Sequence, residues 1–300
     1  MEDVVIIGGG AAGLGAALYC ARFTLKTTVI AKDYGGTGNI AHLVDNWIGD
    51  PGITGPELMK KFISHVKEYK VPLIEAEVVS LEKTKKGFVV KTSDKKKIET
   101  KTILFANGMT HRKLGIPGEK EYSGKGVHYC YACDGPLYKG KTVAMIGGSD
   151  AAALGALFME QYAKKVYVIY RGEKLRAEPI SSIRVYKSKK MEVIHNTNLT
   201  EIYGEKFVKG IKTDTKKDII LDGIFIEVGH LPLTDLAKSV GVKLDAKGFI
   251  AISKDQSTSV PGIFAAGDIT NGTSLKQFIT SVAEGSIAAQ SLYFFLQKHS

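Results

Sequence analysis

Two cysteines three positions apart, in Cys130-Tyr131-Ala132-Cys133-Asp134-Gly135, are the side chains of this sequence best suited to chemistry. Such a pair can close a small disulfide ring and reopen it, with a reactivity set by how far the local field lowers the thiol pKa. It can equally supply half of a tetrahedral zinc site, which needs two further ligands. The remaining cysteine, Cys20, lies in an alanine-rich stretch that reads as helix core. His111 and His128 are conceivable ligands, but there is no second Cys-x-x-Cys, so the pair reads as a redox centre and no metal is assigned. Three cysteines are also too few for a disulfide-stapled secreted fold.

The elements that must position this pair show themselves as a repeat. Val4 to Leu18 reads VVIIGGGAAGLGAAL, and Val143 to Leu157 reads VAMIGGSDAAALGAL. Each is a β-branched run, then small residues, then a stretch at helical spacing, which is the strand–turn–helix opening of a βαβ unit. A second hydrophobic run follows each, Thr27 to Ile30 and Val166 to Tyr170. In the first copy Gly8 permits the tight turn, Gly10 lets the backbone approach a pyrophosphate, and Gly13 lets helix and strand pack closely. Ala11 and Ala12 then open a helix whose N–H groups and partial positive charge suit phosphate. Asp33, near the end of the next strand, is the candidate ribose ligand. Near the other end, Ser259-Val260-Pro261-Gly262-Ile263-Phe264-Ala265-Ala266-Gly267-Asp268 is a strand running into small residues and a carboxylate, suited to the ribityl and phosphate part of a flavin.

The fold class expected is α/β, with two dinucleotide-binding, Rossmann-like three-layer domains. The C-terminal stretch has no nucleotide-binding opening of its own, so it is expected to return and complete the first domain, with the second inserted. Gly115-Ile116-Pro117-Gly118-Glu119 and the chain near Gly241 read as the linkers and hinges. The domains are therefore placed at 1–114 with 243–300, and at 115–242.

Composition sets outer limits. The 300 residues suit two ordinary domains, and the formal charge of +10 favours acidic partners as readily as it describes a lysine-rich solvated surface. The lysines are scattered and no recognition motif accompanies them, which argues against nucleic acid. No apolar run approaches the ~18 residues of a membrane span. No signal-peptide plan opens the sequence, so a cytoplasmic location is expected.

Over essentially its whole length the sequence resembles the low-molecular-weight thioredoxin reductases. The matching pieces are the first glycine loop, Asn46-Trp47-Ile48-Gly49-Asp50, the Cys130 to Gly135 segment, Val228-Gly229-His230-Leu231-Pro232, and the Gly267-Asp268 segment with Lys276-Gln277-Phe278 after it. The resemblance implies FAD in the outer domain, a nicotinamide site in the inserted one, and a homodimer. It implies that Cys133 is the flavin-side thiol, Cys130 the thiol that attacks the partner's disulfide, and Asp134 the acid–base residue. His128 is read as an ordinary polar strand residue. The flavin contacts it implies add Gly35, Gly36, Thr37, Asn46, Val78, Ala106 and Gly108 to the glycine loop, Asp33, Gly267, Asp268, Lys276, Gln277 and Phe278. The partner implied is thioredoxin or a similar protein disulfide.

Some positions depart from the pattern. The second loop has Ser149 where a glycine is usual, followed by the acidic Asp150, and Leu154-Gly155 replaces paired glutamates. Tyr170 and Gly172 stand where a histidine and an arginine are usual. Gly147, Ser149, Arg171, Lys174 and Arg176 remain open to a nicotinamide phosphate. NADPH, reduced ferredoxin and NADH therefore all stay open as donors. Thr37 and Asn107 replace a glutamine and a threonine, changes able to alter flavin potential. The competing readings are a ferredoxin/NADP-type flavin reductase with incidental cysteines, and a non-catalytic flavin redox sensor.

Overall fold

The computed structural model describes residues 1–41 and 43–299. It divides into two compact units: an outer one of Met1–Thr110 with Leu231–Ser300, and an inserted one of His111–His230.

In the outer unit the strand Glu2–Gly9 lies between Thr27–Tyr34 and Lys97–Phe105, both parallel to it. Leu73–Glu75 extends the sheet on one side, and Ile263–Ala265 pairs parallel with Lys97–Phe105 on the other. The strands Val78–Thr84 and Gly87–Thr92 add an antiparallel meander. Val4 to Ile7 form a continuous apolar run because both faces of the sheet are covered, as parallel strands require. Successive side chains point to opposite faces, so Val4 and Ile6 enter one core cluster while Val5 and Ile7 enter another. On the first face the helix Ala11–Arg22 packs against Phe278–Lys298 through small residues. A Cβ on Gly285 would strike the Ala12 carbonyl oxygen, so glycine sets how closely these helices approach. Cys20 is buried there, and burial pushes its thiol up to about 12, consistent with packing.

The inserted unit carries a five-stranded parallel sheet in the order Met191–Ile194, Lys165–Ile169, Thr142–Ile146, Gly223–Ile226, Val127–His128. The helix Asp150–Met159 follows the second glycine loop, and Leu199–Gly204, Val208–Thr213 and Asp218–Ile220 form an antiparallel sheet. The cysteine segment, the second glycine loop and Glu227 all follow the carboxyl ends of parallel strands, the edge at which such sheets build sites.

The expected boundaries, after 114 and after 242, fall within the units. The Gly115–Glu119 segment is tied down inside the inserted unit. The buried Glu119 carboxylate accepts from the amides of Leu114 (2.9 Å) and Gly115 (2.6 Å) and from the Tyr129 hydroxyl (2.7 Å). Ala237 and Val242 belong to the outer core with Val5 and Ile7, so the chain has rejoined that unit well before Gly241. Among the described residues, no helix is long and apolar enough to cross a membrane.

Candidate active site

Cys130 and Cys133 are joined in a disulfide, S–S 2.07 Å, with their Cα atoms 5.3 Å apart. Cys130 follows the edge strand Val127–His128 and caps the short helix Tyr131–Asp134, where its sulfur accepts a hydrogen bond from the Cys133 amide at 3.1 Å. An amide aimed at the sulfur favours the thiolate once the disulfide opens. Cys130 is half-buried and Cys133 exposed.

Beside the pair, Asp134 Oδ2 lies 2.9 Å from His128 Nδ1, and His128 Nε2 lies 2.7 Å from the Tyr138 hydroxyl. The imidazole is 8% exposed, held between the rings of Phe225 and Tyr138. Burial first, then the charges of Asp134 and Asp222, pushes Tyr138 up to about 12, so its hydroxyl keeps its proton. Tyr138 O–H donating to Nε2 leaves the Nδ1 proton to bond Asp134, which fixes that carboxyl beside the cysteines. His128 is thus more than the ordinary strand residue expected, because its neighbours come from across the sheet and from the turn after the cysteines. The burial of Tyr131 against Phe158 also explains Gly155: a Cβ there would lie 2.8 Å from the Tyr131 ring, so glycine makes room for the cysteine helix.

A cleft in the outer unit is lined by Gly10, Ala11, Ala12, Gly35, Thr37, Gly38, Ala106, Gly108, Asp268, Lys276, Gln277, Phe278 and Ser281. Sequence reasoning missed Gly38 and Ser281. Gly8, Gly13 and Gly267 shape the cleft without lining it. Gly8 has φ +118 and no room for a Cβ against Ala106, a Cβ on Gly13 would strike the Gly8 carbonyl, and one on Gly267 would meet Ala12 at 2.7 Å. Gly36 faces Gly10, and Asn46 donates to the Gln277 side chain at 3.0 Å. Val78 and Asp33 are not among the lining residues: Val78 is packed in the core, and Asp33 is exposed at the end of its strand.

The lining suits a dinucleotide. Gly10 has open space where a Cβ would stand, and the helix it starts has no side-chain cap, leaving its first amides free for phosphate. Burial raises the Asp268 carboxyl, Lys276 and a 3.3 Å bond from Ser281 oppose that rise, and Asn107 Oδ1, beside the lining residues Ala106 and Gly108, is buried without a partner among the described residues. A further missed residue is Glu284, buried in the last helix, which accepts from the Gly267 amide (2.7 Å) and the Thr270 hydroxyl (3.0 Å) and so holds the Gly-Asp turn.

The second glycine loop is partly closed on itself. Gly147, at φ +143, has no room for a Cβ against the Glu227 carbonyl. The Tyr170 ring lies over both Gly148 and Gly172, 2.5 Å and 2.6 Å from where their Cβ atoms would be. The Arg176 amide donates to the Gly148 carbonyl at 2.6 Å, and the Glu178 amide to Asp150 Oδ1 at 2.6 Å. Ser149 caps the helix without a side-chain bond. Arg171, Lys174 and Arg176 are exposed and, among the described residues, in no ion pair.

Comparison with known proteins agrees with this arrangement. The sequence matches the family described as Pyridine nucleotide-disulphide oxidoreductase over residues 2–285. It is 36% identical over 304 residues to the thioredoxin reductase of Bacillus subtilis, covering 99% of this chain and 95% of that protein. The crystal structure of T. acidophilum thioredoxin reductase superposes with a TM-score of 0.93 at 40% identity, covering 100% of this chain and 99% of that one. That of Lactococcus lactis thioredoxin reductase superposes with a TM-score of 0.95 at 34% identity, covering 99% and 100%. With a glycine-loop cleft in one unit and a Cys-x-x-Cys disulfide in the other, this chain belongs to the pyridine nucleotide-disulphide oxidoreductase family.

Proposed function

We propose that this chain is an FAD-dependent thioredoxin-disulfide reductase, passing electrons through the Cys130–Cys133 disulfide to thioredoxin or a similar small protein disulfide. The observation that carries this reading is the disulfide set beside an Asp134 carboxyl held by His128. The flavin would be held by the amides of Ala11 and Ala12 at its phosphates and by Asp268 at its ribityl hydroxyls, with Thr37, Lys276, Gln277 and Phe278 closing the cleft. When bound it supplies the two electrons that, with two protons, convert the disulfide to a dithiol through Cys133.

The remaining steps belong to the protein's own side chains. The Cys130 thiol gives its proton to Asp134 and attacks the partner's disulfide, forming a mixed disulfide and expelling one partner thiolate, to which Asp134 returns that proton. The Cys133 thiol then loses its proton and attacks the Cys130 sulfur, restoring the internal disulfide and releasing the second partner thiolate, which takes up a proton in turn. Replacing Cys130 with serine should abolish turnover of thioredoxin while electron transfer to a dye persists. Thioredoxin reduction retained in that variant would overturn the reading in favour of a flavin reductase with incidental cysteines. A flavoprotein unable to turn thioredoxin over with any donor would be a redox sensor instead.

NADPH is the donor usual for this kind of reductase, and the exposed Arg171 and Lys174, with Arg176 stacked over the Tyr170 ring, suit its 2′-phosphate. A specific observation favours a second donor. Tyr170 covers the second glycine loop, and Asp150 places a carboxylate where a pyrophosphate would approach. Reduced ferredoxin, an acidic protein, would bypass that loop, and the basic net charge would draw it in. Anaerobic titration of the yellow protein decides between them: bleaching by micromolar NADPH retires ferredoxin, and bleaching by ferredoxin alone retires NADPH. The resemblance further implies a cytoplasmic homodimer, which light scattering and cell fractionation test.

A further inference from the structure

Three side chains without a role in disulfide reduction meet inside the inserted unit. His111, Glu227 and His230 each bring one ligating atom to a point where all three lie within 4.8 Å of one another. Their positions follow from the fold. Glu227 immediately follows the strand Gly223–Ile226, with its amide bonded to the Ile146 carbonyl at 2.8 Å, at the carboxyl edge of the sheet. His111 and His230 are the first and last residues of the unit, and the Arg112 amide donates to the Gly229 carbonyl at 2.9 Å, holding the two segments side by side.

The chemistry of the three is unsatisfied. Glu227 is 5% exposed, and among the described residues its carboxyl has no hydrogen-bond partner, so burial alone raises it, to about 8. His111 Nδ1 is buried and also has no partner. The two imidazole rings are 4.6 Å apart, and burial lowers both, with His230 lowering His111 further. Buried polar atoms in folded proteins almost always find partners, so the unpartnered His111 Nδ1, on a ring that brings a ligating atom within 4.8 Å of the Glu227 carboxyl, points to an absent one. Both histidines are only partly buried, which leaves an approach from solvent.

We propose that His111, Glu227 and His230 form a binding site for a divalent transition metal ion of the zinc type, with its fourth position taken by water. Two imidazoles and one carboxylate are a donor set that zinc takes readily. They offer too few oxygens for calcium or magnesium and no sulfur for a soft monovalent ion. On binding, the carboxyl releases its proton to solvent and the ion replaces it. The ion would tie together the two points at which the chain enters and leaves the inserted unit. This site is separate from the cysteine pair and does not depend on the reductase reading.

The test is calorimetric titration of the full chain with zinc chloride. The internal disulfide is kept oxidised so that Cys130 and Cys133 do not compete. One equivalent should bind, and cobalt in its place should give the visible absorption of a four-coordinate ion. Glu227→Gln keeps the shape of the side chain, and His111→Gln changes a half-exposed one. Each should weaken binding at least about tenfold, while flavin absorbance and melting profile report an intact fold. If one variant fails to fold, the other decides. Absence of a stoichiometric zinc in the wild-type protein, or binding unchanged in the folded variants, would overturn the proposal and mark any bound metal as an adventitious ion only.

Discussion

A carboxyl that must deliver a proton within a turn needs something to hold it, and for Asp134 that is the imidazole of His128, itself fixed by the Tyr138 hydroxyl. Both polar contacts of the His128 ring, among the described residues, go to Tyr138 and Asp134, so its role is positioning. Replacing it with asparagine should lower kcat for thioredoxin reduction by about tenfold to a hundredfold, less than the full contribution of an acid–base group because Asp134 itself remains. KM should hardly change, since neither side chain is expected to bind the partner. An unchanged kcat in steady-state assays would leave Asp134 without this support. Glu227 gives a second prediction at this scale. In metal-free protein the folded state keeps a proton up to about pH 8 that the unfolded chain releases near 4.5. The stability gained is therefore complete below the lower value and is lost as pH rises toward the upper one, at up to about 1.4 kcal/mol per pH unit. Asp268 and Glu284 are raised by burial too and act in the same direction. Denaturant melts between pH 5 and 8 should show the decline, and Glu227→Gln should flatten part of it.

The helices Ala11–Arg22 and Phe278–Lys298 are coupled to the cofactor cleft by their packing. Gly285 sits against the Ala12 carbonyl, and Ala12 belongs to the first turn of the helix that lines the cleft. Gly285→Ala forces the helices apart, at a cost of about 1–3 kcal/mol for overpacking, and moves the amides meant for phosphate. The variant should melt lower and retain less flavin, read from the ratio of visible to ultraviolet absorbance. Full flavin retention would show that the helix is free to shift without its amides moving. Much of this was legible in the sequence. The first glycine loop is a local pattern, since its turn, helix start and strand are neighbours in the chain, and the cleft forms around it. Gly285, Ser281 and Glu284 were not legible. They sit on the last helix at ordinary helical spacing, and their importance comes from what the fold brings against that helix: Gly285 meets Ala12 from the far end of the chain, while Ser281 and Glu284 bond back onto the Gly267 to Thr270 turn. His128 escaped for the same reason, because a two-residue edge strand gives no periodicity from which to infer what surrounds its side chain.

For the molecule as a whole, the insertion of one unit within another was readable because each opens with its own glycine loop while the C-terminal stretch has none. The crossing points were not. Glycine and proline at Gly115–Glu119 signal a turn, but local composition does not say which sheet will hold a turn once Glu119 has bonded back onto its amides. Charge is a property of the same scale. A net +10 spread over scattered lysines gives a long-range field more than a contact. If an acidic protein is the donor, its rate of electron delivery should fall about tenfold between low salt and several hundred millimolar sodium chloride. Stopped-flow traces with reduced ferredoxin measure this. A salt-independent rate would remove electrostatic steering from the account.

The bond from the Arg112 amide to the Gly229 carbonyl has a consequence for how such a chain can be assembled or taken apart. The inner unit starts and stops at almost the same place, so the interruption it makes in its host is hardly wider than a tight turn. The closure entropy of a gap depends on the distance its ends must span and only weakly on what fills it. A few glycines and serines joining Thr110 to Leu231 would therefore leave the host sheet with the ends it already has, and the excised segment would keep its own two termini abutting. The architecture is modular in the plain sense that the path of each half is complete without a detour through the other.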